Sequence, residues 1–174
     1  MRPLPVSPAG VPLADFGTRL AAYLIDGVIL GFGSMIVLVP AVLVAAHWWL
    51  PGHGVEDNAS GEVFFRDFLL PFLLFEAGFF VFILLVYYGY FVEYMHRKGE
   101  TLGKKIMKIR VVPIDPSARL TRGMAAKRYL VQFIAGTFVP FFNYLDGLWQ
   151  LWDKPYLQTL HDKAAHTVVV KVSA

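Results

Sequence analysis

The apolar run from Phe16 to Ala46 constrains this chain more than any other feature. About 20 apolar residues cross the hydrocarbon core of a bilayer, and residues 20–46 exceed that length. The run nevertheless carries Arg19 at its start and Asp26 inside it. A charged carboxylate at the centre of a membrane helix costs roughly 2.5–3.5 kcal/mol on insertion scales, so Asp26 should face protein or water rather than lipid. The sequence therefore predicts a membrane helix with a polar seam.

The spacing of residues along this helix suggests how the charge of Asp26 is neutralised and covered. Arg19 and Asp26 are seven residues apart and share one helix face, which predicts that the guanidinium neutralises the acid. Gly27 and Gly31 follow Asp26 as a small-xxx-small stripe, which suits close helix packing. A helix packed on that stripe would also cover the acid.

A second span is predicted over residues 68–92, interrupted by Glu76. Counting 1.5 Å per residue from opposite membrane faces leaves less than about 10 Å of axial separation between Asp26 and Glu76. Two interpretations stay open. In one, Arg19 neutralises Asp26 and Glu76 is protonated; in the other, the two acids form a path for a cation or proton.

The distribution of charge predicts the orientation of the chain. Ten lysines and arginines lie between residues 94 and 128, and the 47–67 connection is acidic. The positive-inside rule then makes the basic loop cytoplasmic and the acidic connection external. Four residues are expected to form a cytoplasmic basic patch: Lys104, Lys105, Lys108 and Arg110. Both termini are expected in the cytoplasm.

The third hydrophobic segment, about 125–152, either spans once or forms a broken or re-entrant helical hairpin. Three residues interrupt it: Pro140, Asn143 and Asp146. The hairpin is favoured because two strand-like runs, about 106–112 and 167–172, can pair only from the same side of the membrane. The expected fold is mainly α and integral to the membrane, with two full transmembrane helices, this third segment and a small cytoplasmic β pairing.

Composition narrows the functional classes. The chain is 56% hydrophobic, lacks cysteine and has a net charge of +3, so we expect no cofactor, metal site or nucleic-acid partner and do not expect an enzyme. Residues 1–13 are proline-rich and predict a flexible lead, followed by a membrane domain over residues 14–172.

Near the C-terminus, Thr159 and Asp162 fit a capping box, and Asp162 is also a candidate ion-pair partner of Lys104 or Arg110.

Three motifs in this order resemble the RDD family of small bacterial membrane proteins: RLAAYLID at 19–26, ETLGKKIMKIRVV at 100–112 and QTLHDKAAHTVVV at 158–170. The resemblance implies that Arg19, Asp26 and Asp162 are the signature residues. It also marks two departures, because Lys108 and His166 stand where the family usually has glycine or, at position 166, a small residue.

The resemblance leaves two functional hypotheses. Some family members look like cation/proton exchangers, which would use Asp26 and Glu76 as an ion path. Others look like accessory components of membrane machinery, which would dock through the Gly27–Gly31 stripe onto other membrane subunits or a second copy of the chain. The accessory role is favoured because no inverted repeat or complete transport route is visible in the sequence.

Overall fold

A computed structural model describes residues 5–49 and 61–172, without the side chains of Trp48 and Trp49. The chain forms two compact units. One contains the residues up to 28 together with those from 87 onward, and the other contains residues 29–86. Residues 50–60, which include most of the predicted acidic connection, lie outside the described part of the chain.

Two long helices confirm the predicted apolar spans. Helix α1 is Phe16–Trp49 and helix α2 is Gly61–Lys98, with π-helical turns at Phe65–Leu69 and Gly89–Tyr94. Both are long and apolar enough to cross a bilayer. Their most apolar stretches are almost wholly exposed, unlike the core helix of a soluble protein, whose apolar side chains are buried. The described residues of the unit formed by residues 29–86 belong to these two helices.

Helix α1 begins with a side-chain cap. The Asp15 carboxylate accepts hydrogen bonds from the backbone N–H and the hydroxyl of Thr18, at 2.9 and 2.8 Å. The same carboxylate forms an ion pair with Lys171 at 2.9 Å. The hydrogen bond from Lys171, followed by those from Thr18, holds the pKa of Asp15 below its ordinary value. The start of the first apolar helix is therefore tied to the C-terminal part of the chain.

The predicted β pairing is present. Strand β1, Ile109–Pro113, pairs antiparallel with strand β2, Thr167–Lys171, with Val111 opposite Val169. Strand β1 begins later than predicted because Ile106 ends helix α3, Leu102–Ile106, and β2 ends at Lys171, one residue before its predicted end. Thr101 caps that helix by accepting a hydrogen bond from the backbone N–H of Lys104.

The proline-rich lead is more ordered than predicted from residue 5 onward. Leu13 forms a β-bridge with Val170, and Lys171 donates its backbone N–H to the Pro12 carbonyl at 2.9 Å. Leu13 is 4% exposed and packs with Val168 and Val170 in an apolar core. Proline prevents helix formation here but leaves an extended chain free to add to the edge of β2.

The third hydrophobic segment folds as two helices separated by a turn. Helix α4 begins at Arg122 and continues through a π-helical turn, Leu130–Ala135, to Phe138, and helix α5 is Phe142–Leu148. The break at residues 139–141 agrees with the predicted hairpin. Insertion of this hairpin into the membrane stays a prediction. A further short helix, α6, spans Leu160–Ala164 before β2.

The two departures from the family pattern occupy the same kind of backbone position. Lys108 precedes β1 with φ of 54°, and His166 precedes β2 with φ of 53°. The carbonyl of each accepts a hydrogen bond at an end of the sheet, from Val172 and Ile114 respectively. A left-handed conformation is strained for residues with a Cβ and is adopted readily by glycine, so glycine would fit both backbone positions better.

We therefore expect Lys108→Gly and His166→Gly each to raise the free energy of unfolding by about 0.5–1 kcal/mol, because relief of left-handed strain outweighs the added freedom of the unfolded chain. Thermal unfolding in detergent measures the effect. Lys105→Gly, inside α3, is the matched control and should destabilise. Equal losses at Lys105 and Lys108 would contradict the argument.

Candidate functional site: a buried polar cluster

The acid inside the first apolar helix is fully hydrogen-bonded. Asp26, 1% exposed, accepts three hydrogen bonds. The Tyr90 hydroxyl and the Gly103 backbone N–H donate to Oδ1 at 2.5 and 2.7 Å. The Thr101 hydroxyl donates to Oδ2 at 2.5 Å. Three donors on one carboxylate replace the solvation that the apolar surroundings remove.

Local backbone structure positions these donors. Tyr90 lies in the π-helical turn of α2, a kind of distortion that often occurs at functional sites. Its hydroxyl also accepts a hydrogen bond from the backbone N–H of Leu102 at 2.9 Å. A Cβ added at Gly103 would lie 2.8 Å from the Asp26 carboxyl group and closer still to the Ala22 carbonyl. Glycine is therefore required at residue 103 for the start of α3 to reach the acid.

The predicted pairing of Arg19 with Asp26 is wrong. Arg19 instead donates from Nη1 to Oδ2 of Asp162 at 2.9 Å. Side chains on a helix tilt toward its N-terminus, so Arg19 reaches away from an acid that lies two turns further along. The remaining donors of Arg19 bind the carbonyls of Ala14 and Val169, at 3.2 and 3.4 Å.

Asp162 is a buried acid that pairs with two buried arginines. It is 0% exposed and lies between Arg19 and Arg128, which are 9% and 4% exposed. Arg128, on α4, forms an ion pair with Oδ1 of Asp162 and donates to the Thr167 hydroxyl. The carboxylate therefore joins the start of α1, helix α4 and helix α6.

The predicted capping box is present and uses the same carboxylate. Asp162 accepts the backbone N–H of Thr159, whose hydroxyl accepts the backbone N–H of Asp162. Burial alone would raise the pKa of Asp162, but the nearby charges of Arg128, His161 and Arg19 outweigh it and hold the pKa well below its ordinary value. The ion-pair partners predicted for this acid, Lys104 and Arg110, are not the ones observed.

A third buried acid, Asp146, connects α5 to α6. Asp146, 3% exposed, accepts the backbone N–H of His161 at 2.8 Å and lies 2.6 Å from its Nδ1. The other ring nitrogen of His161 is 3.9 Å from Asp162. Asp146, which interrupts the third hydrophobic segment in the sequence, therefore attaches α5 to α6.

Lys104 is part of this cluster rather than of an exposed patch. It is half-buried, and burial together with the charge of Arg128 lowers its pKa to about 8, against the opposing effect of Asp26 and Asp162. The cluster contains the His161 side chain together with three cations and three carboxylates: Arg19, Lys104, Arg128, Asp26, Asp146 and Asp162. Of the predicted patch, Lys105, Lys108 and Arg110 are exposed.

The predicted glycine stripe does not cover Asp26. A Cβ added at Gly27 or Gly31 would meet no described atom within 4 Å. The close approach occurs at Gly103 instead, because a short capped helix rather than a membrane helix packs over the acid. Glu76 lies on α2 in the other compact unit with an exposed side chain, and the proposed ion path through it stays a prediction.

Sequence reasoning missed Arg128, Tyr90 and Asp146 as members of the site. Arg128 opens the third apolar segment as Arg19 opens the first, and that parallel was an available signal. Tyr90 is one of several tyrosines near the end of the second apolar span, and the π-helical turn directs it to Asp26. No group of three or more potential metal ligands occurs among residues 5–49 and 61–172.

Two exposed apolar helices and a buried arginine–aspartate cluster define a membrane-type domain. The RDD family profile matches residues 13–166, so the chain belongs to the RDD family. The matched range contains Arg19, Asp26 and Asp162, the residues that the resemblance predicts as the signature. No significant similarity to a curated protein or to a solved structure was found.

A double-mutant cycle should distinguish the two possible partners of Arg19. Residues in one ion-pair network couple by about 0.5–3 kcal/mol, whereas separate sites add within about 0.5 kcal/mol. We expect coupling in the free energy of unfolding between Arg19→Gln and Asp162→Asn, and near additivity between Arg19→Gln and Asp26→Asn. Thermal unfolding of the four proteins in each cycle measures both. Strong coupling of Arg19 to Asp26 would contradict the assignment.

The lowered pKa of Lys104 predicts a pH dependence of stability. Between pH 8 and 10.5 the unfolded chain holds the Lys104 proton more tightly than the folded chain, so stability should rise with pH across this window. The wild type should therefore gain stability relative to Lys104→Met as pH increases from 7 to 10. Melting temperatures of the two proteins across this range test the sign, and parallel curves would exclude a depressed pKa.

Proposed function

We propose that the chain is an accessory or interaction subunit of a complex in the bacterial plasma membrane. The supporting observation is the complete pairing of the acid inside the first apolar helix. A transport carboxylate must release one partner to bind an ion or proton, and Asp26 would have to leave the donors Tyr90, Thr101 and Gly103. The buried cluster is suited to holding the helices of this unit together, so the contacts with partner subunits would lie on the outer surfaces of the chain.

The docking face in this proposal is the glycine stripe of α1. Gly27 and Gly31 lie about 40° apart around the helix, at 100° per residue. Their open surroundings would let the backbone of another helix approach closely, which is the usual role of small-xxx-small stripes in membranes. Another membrane subunit or a second copy of this chain would supply that helix.

The sheet supports a cytoplasmic location for both ends of the domain. Because Leu13 bridges to Val170 and β2 pairs with β1, these three segments lie on one side of the membrane. The same side contains the exposed cations Lys105, Lys108 and Arg110. The positive-inside rule assigns such a surface to the cytoplasm.

The alternative is a cation/proton transporter, and Glu76 is the observation in its favour. An ionisable residue in an apolar helix is costly and commonly functional. Glu76 is exposed within its own compact unit and is available to a partner helix or an ion path. A second copy of the chain would have to provide the remaining walls of such a path.

We expect reporters fused to either end of the chain to be inactive when they require export and active when they require the cytoplasm. The reason is the shared sheet together with the basic loop. Fusion of alkaline phosphatase and of green fluorescent protein to each terminus gives the two readouts. Phosphatase activity from the C-terminal fusion would exclude the hairpin topology.

Substitutions on α1 and α2 separate the two functions. In the accessory role, Gly27→Leu and Gly31→Leu should reduce the apparent mass of the solubilised complex without changing the melting temperature of the purified chain. Gly33→Leu is the matched control, because Gly33 lies about 140° from the centre of the stripe at 100° per residue. Equal behaviour of all three variants would contradict a specific docking face.

In the transport role, Glu76→Gln should abolish pH-driven cation flux in proteoliposomes, since glutamine cannot ionise. Flux retained in full would remove Glu76 from any ion path.

A further inference from the structure

A basic cleft lies in the compact unit that contains the sheet. Its volume is about 530 Å³, and it is lined by residues from the lead (7–11), the end of α2 (96–99), β1 and the loop after it (110–120), together with Val170. None of the residues that hold Asp26 or Asp162 lines it. We propose that this basic cleft binds the phosphate of an anionic phospholipid headgroup.

The charge of the lining residues favours an anion. Four permanent cations line the basic cleft against one carboxylate, Asp115. That carboxylate accepts hydrogen bonds from the backbone N–H and hydroxyl of Ser117, at 2.9 and 2.7 Å. Among the described residues, Arg97, Lys98 and Arg119 form no ion pair. Because the cations around the cleft outnumber its single lining carboxylate, they repel each other unless an anion is bound.

The Arg110 side chain passes close to Gly99, and both residues line the cleft. Gly99 has φ of 75°, and a Cβ there would lie 3.1 Å from the Arg110 side chain. The Arg110 guanidinium is 3.7 Å from Glu100, which is longer than a hydrogen bond. Its donors are therefore available to phosphate oxygens, which arginine binds in a bidentate manner.

The position of the cleft favours a lipid over a soluble phosphate. Arg97, in the last turn of α2, lies five residues after Val92, the last residue of the predicted span, which is about 7.5 Å along the helix axis. Each headgroup layer extends roughly 5–8 Å beyond the hydrocarbon core, so the end of α2 reaches headgroup depth. The cleft also has apolar lining from Pro8, Val11 and Leu120, which suits the glycerol and upper acyl part of a lipid.

The test uses the full chain purified in neutral detergent and three probes. Dihexanoyl phosphatidic acid carries the phosphate monoester and short acyl chains. Dihexanoyl phosphatidylcholine carries the same chains with a zwitterionic headgroup, and glycerol 3-phosphate carries the phosphate alone. Thermophoresis gives the three dissociation constants. We expect phosphatidic acid to bind at least about 10-fold more tightly than either other probe, since only it matches both the charge and the apolar lining.

The matched variants are Arg97→Gln with Arg119→Gln, inside the cleft, and Lys105→Gln with Lys127→Gln, exposed and outside it. Both pairs remove two positive charges. The cleft pair should weaken phosphatidic acid binding about 10-fold or more, while the control pair should change it less than about 3-fold, as expected for loss of unspecific attraction. Unchanged melting temperatures would show that both variants fold.

Three results would overturn the proposal. Equal affinity for the two lipids would show that the phosphate charge is not recognised. Equal losses in both variants would show diffuse attraction rather than a site. Binding of glycerol 3-phosphate as tightly as phosphatidic acid would assign the cleft to a soluble phosphate ester.

Discussion

The Asp162 carboxylate is the contact on which the sheet-bearing unit depends. It is fully buried, accepts Arg19 from α1 and Arg128 from α4, and closes the capping box of its own helix. Removal of this one acid would leave two buried guanidinium groups without a counter-charge, which typically costs about 3–5 kcal/mol. The order of elements around it follows from these bonds, because three segments distant in sequence must meet at one carboxylate.

Asp26, on the first apolar helix, is stabilised by hydrogen bonds, whereas Asp162 is stabilised by ion pairs. The apolar run of α1 would expose an acid to lipid, and the start of α3 covers it with the Thr101 hydroxyl and the Gly103 backbone N–H, while α2 adds the Tyr90 hydroxyl. This cover requires glycine at residue 103 and a threonine that both caps α3 and donates to Asp26. Arg19, Asp26 and Asp162 therefore form two separate attachment points in this chain, an ion pair between Arg19 and Asp162 and a hydrogen-bonded acid at Asp26.

The sequence predicted the elements of this fold better than their contacts. Apolar run length, the strand-like runs and the Thr159 capping box depend on nearby residues, and all three appear in the structure. The partner of Arg19 was predicted wrongly because helical periodicity gives the shared face and does not give the direction of a long side chain. The cover over Asp26 and the role of Arg128 depend on contacts between distant segments, which no local pattern contains.

The two attachment points also specify the register of α1. Arg19 and Asp26 are about 10.5 Å apart along the axis at 1.5 Å per residue, and each binds partners fixed within the same unit. A slip of one turn, about 5.4 Å, would break both sets of bonds at once. Apolar contacts alone would distinguish such registers weakly, whereas misplaced buried charges are heavily penalised. We infer that the cluster is retained for this specificity. Replacing it by apolar residues of similar volume should preserve stability, but it would no longer specify a single register of α1.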